Sequence, residues 1–344
     1  MGVNGCIKKG FLGFHGIEFF LVHECCQNII RFVLYAVMRT LHIIQTKLNI
    51  SATDIDTMRR IQIEHTTRYR YAEAVTLLPH TLHLRPREGH DIRLESSRLD
   101  ISPGFNIHWQ RDVYGNSVAV VNFLALATEL IITSEVVVEH YGEQSLTFML
   151  AEYAQRYPFD YDPIEQVDLT PYKLSLFPQD NVILQEWIAG IYSPQSTATI
   201  DTVQLLNSLN NKIANELEYR VREEPGVQSP AQTLSLGAGS CRDFATLFIE
   251  ACRYYGLASR FISGYLLNEG GSGGHPSTHA WSEVYLPGSG WLGFDSTSGL
   301  MVTGDHIATA VHRHPEAIPP VAGAFVGTPK AKPKMLVEVK VTRL

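Results

Sequence analysis

Gly237-Ala238-Gly239-Ser240-Cys241-Arg242-Asp243-Phe244-Ala245-Thr246-Leu247-Phe248-Ile249-Glu250-Ala251-Cys252-Arg253-Tyr254-Tyr255-Gly256 reads as a glycine-bearing loop feeding a helix. Ser240 stands at the N-cap, and its spacing to Asp243 is that of a capping box. Phe244, Leu247, Phe248, Ala251 and Tyr255 recur at helical period and predict an inward stripe. Gly256 supplies the stop. The first turn therefore begins at Cys241, where unpaired N–H groups and the positive end of the helix dipole favour a thiolate. Cys252 lies on nearly the same face but about 16 Å along the axis at 1.5 Å per residue, too far for a disulfide. It reads as a small buried hydrophobe.

Outward from the helix, Thr278 to Tyr285 alternates as a strand, is closed by Pro287-Gly288-Ser289-Gly290, and returns as Trp291 to Asp295. Cysteine, histidine and aspartate thus follow in the order Cys241, His279, Asp295: nucleophile, base and orienter for acyl transfer. Register tests the assignment. With all of residues 287–290 in the loop, Asp295 would pair with Ser282 and face away from His279, because strand faces alternate. A bulge, or a loop of three or five residues, is therefore predicted, with Gly288 and Gly290 supplying the backbone freedom.

Gly239-Ser240-Cys241-Arg242-Asp243-Phe244-Ala245, Ser263-Gly264-Tyr265, Thr278-His279-Ala280-Trp281, Gly290-Trp291 and Gly293-Phe294-Asp295-Ser296-Thr297 together resemble the core of the bacterial transglutaminase-like family, a branch of the papain-like superfamily. The resemblance implies an α+β core over residues 150–327 and Cys241, His279 and Asp295 as catalytic residues. Cys241 itself, Tyr219 and Trp281 are candidates for oxyanion or substrate contacts; for Tyr219 a plain core role is weighed equally. Ser296 and Ser298 stand where the family pattern has proline and asparagine, which implies a looser turn after Asp295.

Arg59 to about Tyr141 changes character. Short alternating or β-branched runs are punctuated by Pro103-Gly104 and Tyr114-Gly115-Asn116, the spacing of an antiparallel β-sandwich. This stretch, residues 58–142, resembles the N-terminal β domain that accompanies such cores. Arg68, Arg70, Arg85 and Arg87 are read as solvated strand faces or domain-interface pairs. Between the parts, helices are expected over Ser145–Tyr157, from Asp180 through Tyr192, and from Thr199 or Asp201 to about Glu218, with proline-bearing loops separating them. A Gly-rich segment before His279 is expected to be a mobile loop. Residues 328–344 form a linker and a last strand, Met335 to Val341, that suits either sheet.

The 344 residues suffice for two domains. A net charge of −7 without a basic run argues against nucleic acid. Five cysteines, two of them adjacent, make no disulfide framework and point to a reducing, cytoplasmic setting. Residues 1–57 are apolar but interrupted by Arg31, Arg39 and His42, a poor membrane span. They are read as an extension upstream of a start at Met58; an amphipathic membrane-surface helix is the alternative. His275, His306, His312 and His314 have no companions at metal-ligand spacing and are read as non-ligands. No metal or cofactor is expected. The expected partner is a peptide or protein amide substrate, attacked through a thioester that resolves to water or, alternatively, to an amine as in glutamine crosslinking. A non-catalytic protein-binding module is the third alternative.

Overall fold

Alternation sets the architecture of the N-terminal part. Strand β1 (Arg59–Leu77) buries Ile61, Ile63, His65 and Thr67 and leaves the residues between them less covered, as a half-covered strand must. β2 (His80–Leu82), β3 (Ile92–Ser102), β4 (Phe105–Arg111), β5 (Ser117–Phe123) and β6 (Ala127–His140) follow. β6 pairs antiparallel with β1 from Arg59↔His140 to Arg70↔Glu129 and with β3 on its other side. β2, β5 and β4 build a second antiparallel sheet. Leu82, Ala119 and Val121 from one sheet meet Val75, Leu77, Leu130 and Ile132 from the other in a single apolar cluster. The α+β class and the antiparallel N-terminal sheets are as expected. Arg68 and Arg70 both contact Glu129, at 3.4 and 2.9 Å.

The computed structural model describes residues 58–141, 149–193, 198–267 and 278–344, of which 58–344 is one compact unit. The extension 1–57, residues 145–148 of an expected helix, and the Gly-rich segment 268–277 lie outside the described residues.

After β7 (Arg156–Tyr157) come α1 (Pro163–Lys173), α2 (Asn181–Ile188), β8 (Ile200–Asp201), α3 (Thr202–Glu216), β9 (Glu218–Tyr219), α4 (Pro230–Leu236), β10 (Ala238–Gly239) and α5 (Cys241–Tyr254). Two expectations need correction. Residues 152–154 form only a 3-10 turn and Arg156–Tyr157 pairs with β8, because Pro158 disfavours helix at Tyr157 and Ala151 N–H is held by Pro287 O at 2.8 Å. The stretch after Asp162 is a helix rather than a loop: Asp162 accepts from Ile164 N–H and Pro163 takes the first helical position, where its missing N–H is no loss. Asp201 caps α3 through Gln204 N–H at 2.9 Å. Asp180 precedes α2, but its carboxylate accepts from Ala231 N–H at 3.0 Å and so ties α2 to α4.

β11 (Ser259–Leu266), β12 (Thr278–Leu286), β13 (Gly290–Asp295), β14 (Leu300–Met301) and β15 (His306–His312) form the core sheet in the order β14-β13-β12-β11-β15. α5 lies against β12, with every residue from Asp243 to Arg253 buried. Phe244, Leu247, Phe248 and Ala251 join Val284, Leu286 and Phe294 in the main core cluster, each large side chain stabilising by roughly 1.5–3 kcal/mol relative to exposure. The helix stops in a Schellman arrangement, Gly256 N–H to Arg253 O and Leu257 N–H to Cys252 O, both 2.9 Å.

β16 (Val321–Ala322), β17 (Phe325–Val326) and β18 (Lys334–Arg343) then return to the N-terminal sheets: β16 pairs β2, while β17 and β18 pair β1. The chain end thus laces the sandwich from outside the core. The sandwich in turn closes the open edge of the core sheet. Asn116, fully buried, accepts from Val311 N–H at 2.9 Å and donates to Val311 O at 2.8 Å, standing in for a neighbouring strand. Arg87 N–H donates to Ala308 O at 2.8 Å, and its guanidinium holds Asn116 Oδ1 at 2.6 Å. Ile61, Ile63 and Val138 pack on Tyr265, Leu267 and Ile307.

Candidate active site

The start of α5 is fixed from three directions. Asp243 Oδ2 accepts from the backbone N–H and the hydroxyl of Ser240, at 2.8 and 2.7 Å. Arg222 Nε donates to the same Oδ2 at 3.1 Å, and the other oxygen accepts from Gln228 N–H at 2.7 Å. β10 leads directly into the helix and pairs in parallel with β9, setting Gly239 beside Tyr219. Cys241 is half-buried at the first helical position, where the backbone N–H has no acceptor within the helix.

The hairpin supplies the rest. Leu286 pairs with Gly290 and Ser282 with Phe294, so the loop holds three residues. Ser289 N–H closes onto Leu286 O at 3.0 Å, with Pro287 and Gly288 between them and Gly288 at φ 87°, the residue choice of a type II turn. A Cβ at Gly288 would also stand 2.5 Å from Ala151 N. One residue beyond the Ser282↔Phe294 pair, Asp295 falls opposite Trp281, on the side of the strand that holds His279. The side chains confirm the consequence: His279 Nε2 lies 3.0 Å from Asp295 Oδ2. The contact is an ion pair, close without the N–H alignment of a hydrogen bond.

That leaves Nδ1 of His279 for the Cys241 thiol. Burial works against charge on the His279 ring, but Asp295 and then Cys241 outweigh it and raise its pKa to about 10. Burial would likewise keep Asp295 protonated; the two histidines beside it prevail and hold the carboxyl far below the usual carboxylate range. Tyr219 stands in hydrogen-bonding contact with Cys241, and burial, followed by that neighbour, pushes its phenol up. Its O–H is therefore a donor near the sulfur. Trp281 is different: its indole is 2% exposed, its Nε1 is enclosed, and it packs among Ile262, Val311 and Val302 while stacking on His279 at 6.3 Å. It forms a wall behind the histidine.

Ser296 and Ser298 tighten the turn they were expected to loosen. The Ser298 hydroxyl donates to Asp295 Oδ2 at 3.1 Å, Thr297 N–H to Oδ1 at 2.9 Å, and the Ser296 hydroxyl to Asn210 Oδ1 at 2.8 Å. Asn210 in turn donates to Leu300 O at 2.9 Å. The structure also adds a residue that sequence spacing had set aside. His306, buried at the start of β15, brings Nε2 to 3.4 Å from Asp295 Oδ2. Asp295 ends β13 and His306 opens β15, two strands separated in the sheet by β12 and β11, so linear spacing gave no sign of it.

Comparison with known proteins agrees with this architecture. Residues 61–139 match the bacterial transglutaminase-like N-terminal region and residues 188–296 the transglutaminase-like superfamily. Uncharacterized protein Rv2569c of Mycobacterium tuberculosis is 27% identical over 282 residues, 77% of this chain and 87% of that one. Uncharacterized protein ML0607 of Mycobacterium leprae is 25% identical over 302 residues, 83% of this chain and 100% of that one. Among solved structures, a provisionally assigned cysteine protease from Cytophaga hutchinsonii superposes with a TM-score of 0.64 at 19% identity, covering 84% of this chain and 92% of that one. That likeness establishes the shared fold. The chain therefore joins a bacterial transglutaminase-like N-terminal region to a transglutaminase-like core.

Proposed function

We propose that the protein is a cysteine-dependent enzyme that cleaves peptide or other amide bonds through Cys241, His279 and Asp295. The observation supporting it is a half-buried thiol at a helix N-terminus beside a histidine that a buried carboxylate, Asp295, holds at 3.0 Å. Cys241, as thiolate, attacks the amide carbonyl and forms the C–S bond. The oxyanion is received by the Cys241 N–H and the Tyr219 hydroxyl. The tetrahedral intermediate collapses as the C–N bond breaks, and His279 gives its proton to the departing amine. Water, deprotonated by His279, then attacks the thioester; the C–S bond breaks and the acid leaves. Asp295 holds the ring and balances its charge throughout. Free thiols suit a reducing, cytoplasmic setting, and the chain's net acidity suits a peptide rather than a nucleic-acid partner. Among the described residues no helix is long and apolar enough to cross a membrane.

Purified protein assayed against peptide amides and γ-glutamyl amides, with Cys241→Ala as control, tests this. Amine release that vanishes in the variant is expected. Incorporation of an added primary amine without hydrolysis would move the assignment to crosslinking chemistry, and no Cys241-dependent product from either would leave a binding module.

A further inference from the structure

We infer that His306 is a positioning residue for the Asp295–His279 pair, holding the carboxylate through the same oxygen that faces the base; this rests on the proposed role of those two residues. Thr303 N–H donates to His306 Nδ1 at 3.2 Å, with the Thr303 hydroxyl at 3.4 Å. A nitrogen that accepts there carries no proton, so the ring's N–H is at Nε2. That N–H points to Asp295 Oδ2, the oxygen that His279 approaches at 3.0 Å. One carboxylate oxygen is thus shared between two imidazoles, with the Ser298 hydroxyl as a third contact.

Two consequences follow. The carboxylate cannot swing away from His279 without breaking the second bond. A donor on Oδ2 also takes up part of its negative charge, so that His279 is held less basic than Asp295 alone would make it. The charged and titratable groups facing His306 are Asp295, His279 and Asp305. Asp305 is paired with Arg59 at 2.7 Å, and His140 lies close to that pair. The N-terminal sandwich holds the strand on which His306 sits, through Arg59, Arg87 and Asn116. Trp281 closes the cluster, 5.2 Å from the His306 ring centroid and 6.3 Å from that of His279.

His279, Asp295 and His306 also have ligand atoms within 4.8 Å of one another, a spacing that could hold a cation. The Thr303 N–H argues against it. Metal on Nε2 would require the His306 proton on Nδ1, where another N–H already points.

The test compares His306→Gln, whose amide N–H reaches nearly the position of Nε2, with His306→Phe and His306→Asn, which place no donor there. The His279 ring is titrated by NMR, and the amide-cleavage pH profile is recorded. For Phe and Asn, kcat should fall ~10–100-fold with KM unchanged, His279 should titrate at higher pH, and the alkaline limb should move up with it. Gln should stay close to wild type. Equal behaviour of all three variants and wild type overturns the inference, as does an equal loss in all three with the His279 titration unmoved, or zinc retained by wild-type protein and lost from His306→Phe. A titration that moves as stated in a protein without Cys241-dependent turnover keeps the positioning role and removes the enzymatic one.

Discussion

Helix α5 carries two thiols eleven residues apart, and they live in opposite chemical worlds. Cys241, at the helix start, is half-buried and faces His279 and the Tyr219 hydroxyl. Cys252 is fully buried among Leu206, Leu209, Phe248 and Tyr255, and burial pushes its thiol well above the ordinary value. Residue type is the same, as is the helix. What differs is position along the axis: one end meets loops and a strand bringing polar groups, while the middle meets core. Reactivity is a property of the helix terminus and its neighbours, and packing is a property of its centre.

Exchanging each thiol should break the comparison in opposite directions. Cys241→Ala should remove all amide turnover while the denaturant midpoint barely moves, because a single half-exposed group is lost; unchanged turnover would detach the residue from the chemistry. Asp295→Asn should lower kcat by roughly 10²–10⁴-fold, since the carboxylate orients His279 and balances its charge. A loss below tenfold would show that the ring is held by other means. Cys252→Ala should keep turnover and cost about 1–2 kcal/mol of stability, from lost contacts and the space left behind, measurable by urea unfolding.

Stability against pH sharpens the contrast further. His279 has a folded pKa raised from 6.5 to about 10. Its contribution is therefore complete below pH 6.5 and lost as pH rises through about 10. Cys252 acts only above the ordinary thiol value of 9.0, where the unfolded thiol ionises and the buried one does not. Between pH 6.5 and 9 the decline belongs to His279 and should flatten in His279→Ala, whereas Cys252→Ala should leave that window unchanged.

Much of this was legible in the residues. The helix start, the apolar stripe and the need for a bulge or a loop of three or five residues in the hairpin each follow from local chemistry: a capping acid, a 3.6-residue period, and the parity that links Asp295 to His279. Alternation along β1 and β6 made the sandwich readable for the same reason. What was not legible depends on long-range pairing. Met335 to Val341 alternates as a strand but carries no mark of which sheet it joins, and it pairs with β1 across more than 260 residues of chain. His306 meets Asp295 only because β15 pairs with β11 on the far side of β12. Helix α1 was missed for another reason: its Asp162-Pro163 start is a local signal, but prolines in this stretch read as loop, and α1 carries Pro171 within it.

The most direct measurement is peptide-resolved alkylation by iodoacetamide in folded wild-type protein and in His279→Ala. Cys241 should be modified much faster than Cys252 at pH 6, and that advantage should collapse in the variant, because the imidazolium that sustains the reactive sulfur is gone. Equal slow labelling of both cysteines in the wild type, or a Cys241 rate untouched by loss of His279, would contradict the account.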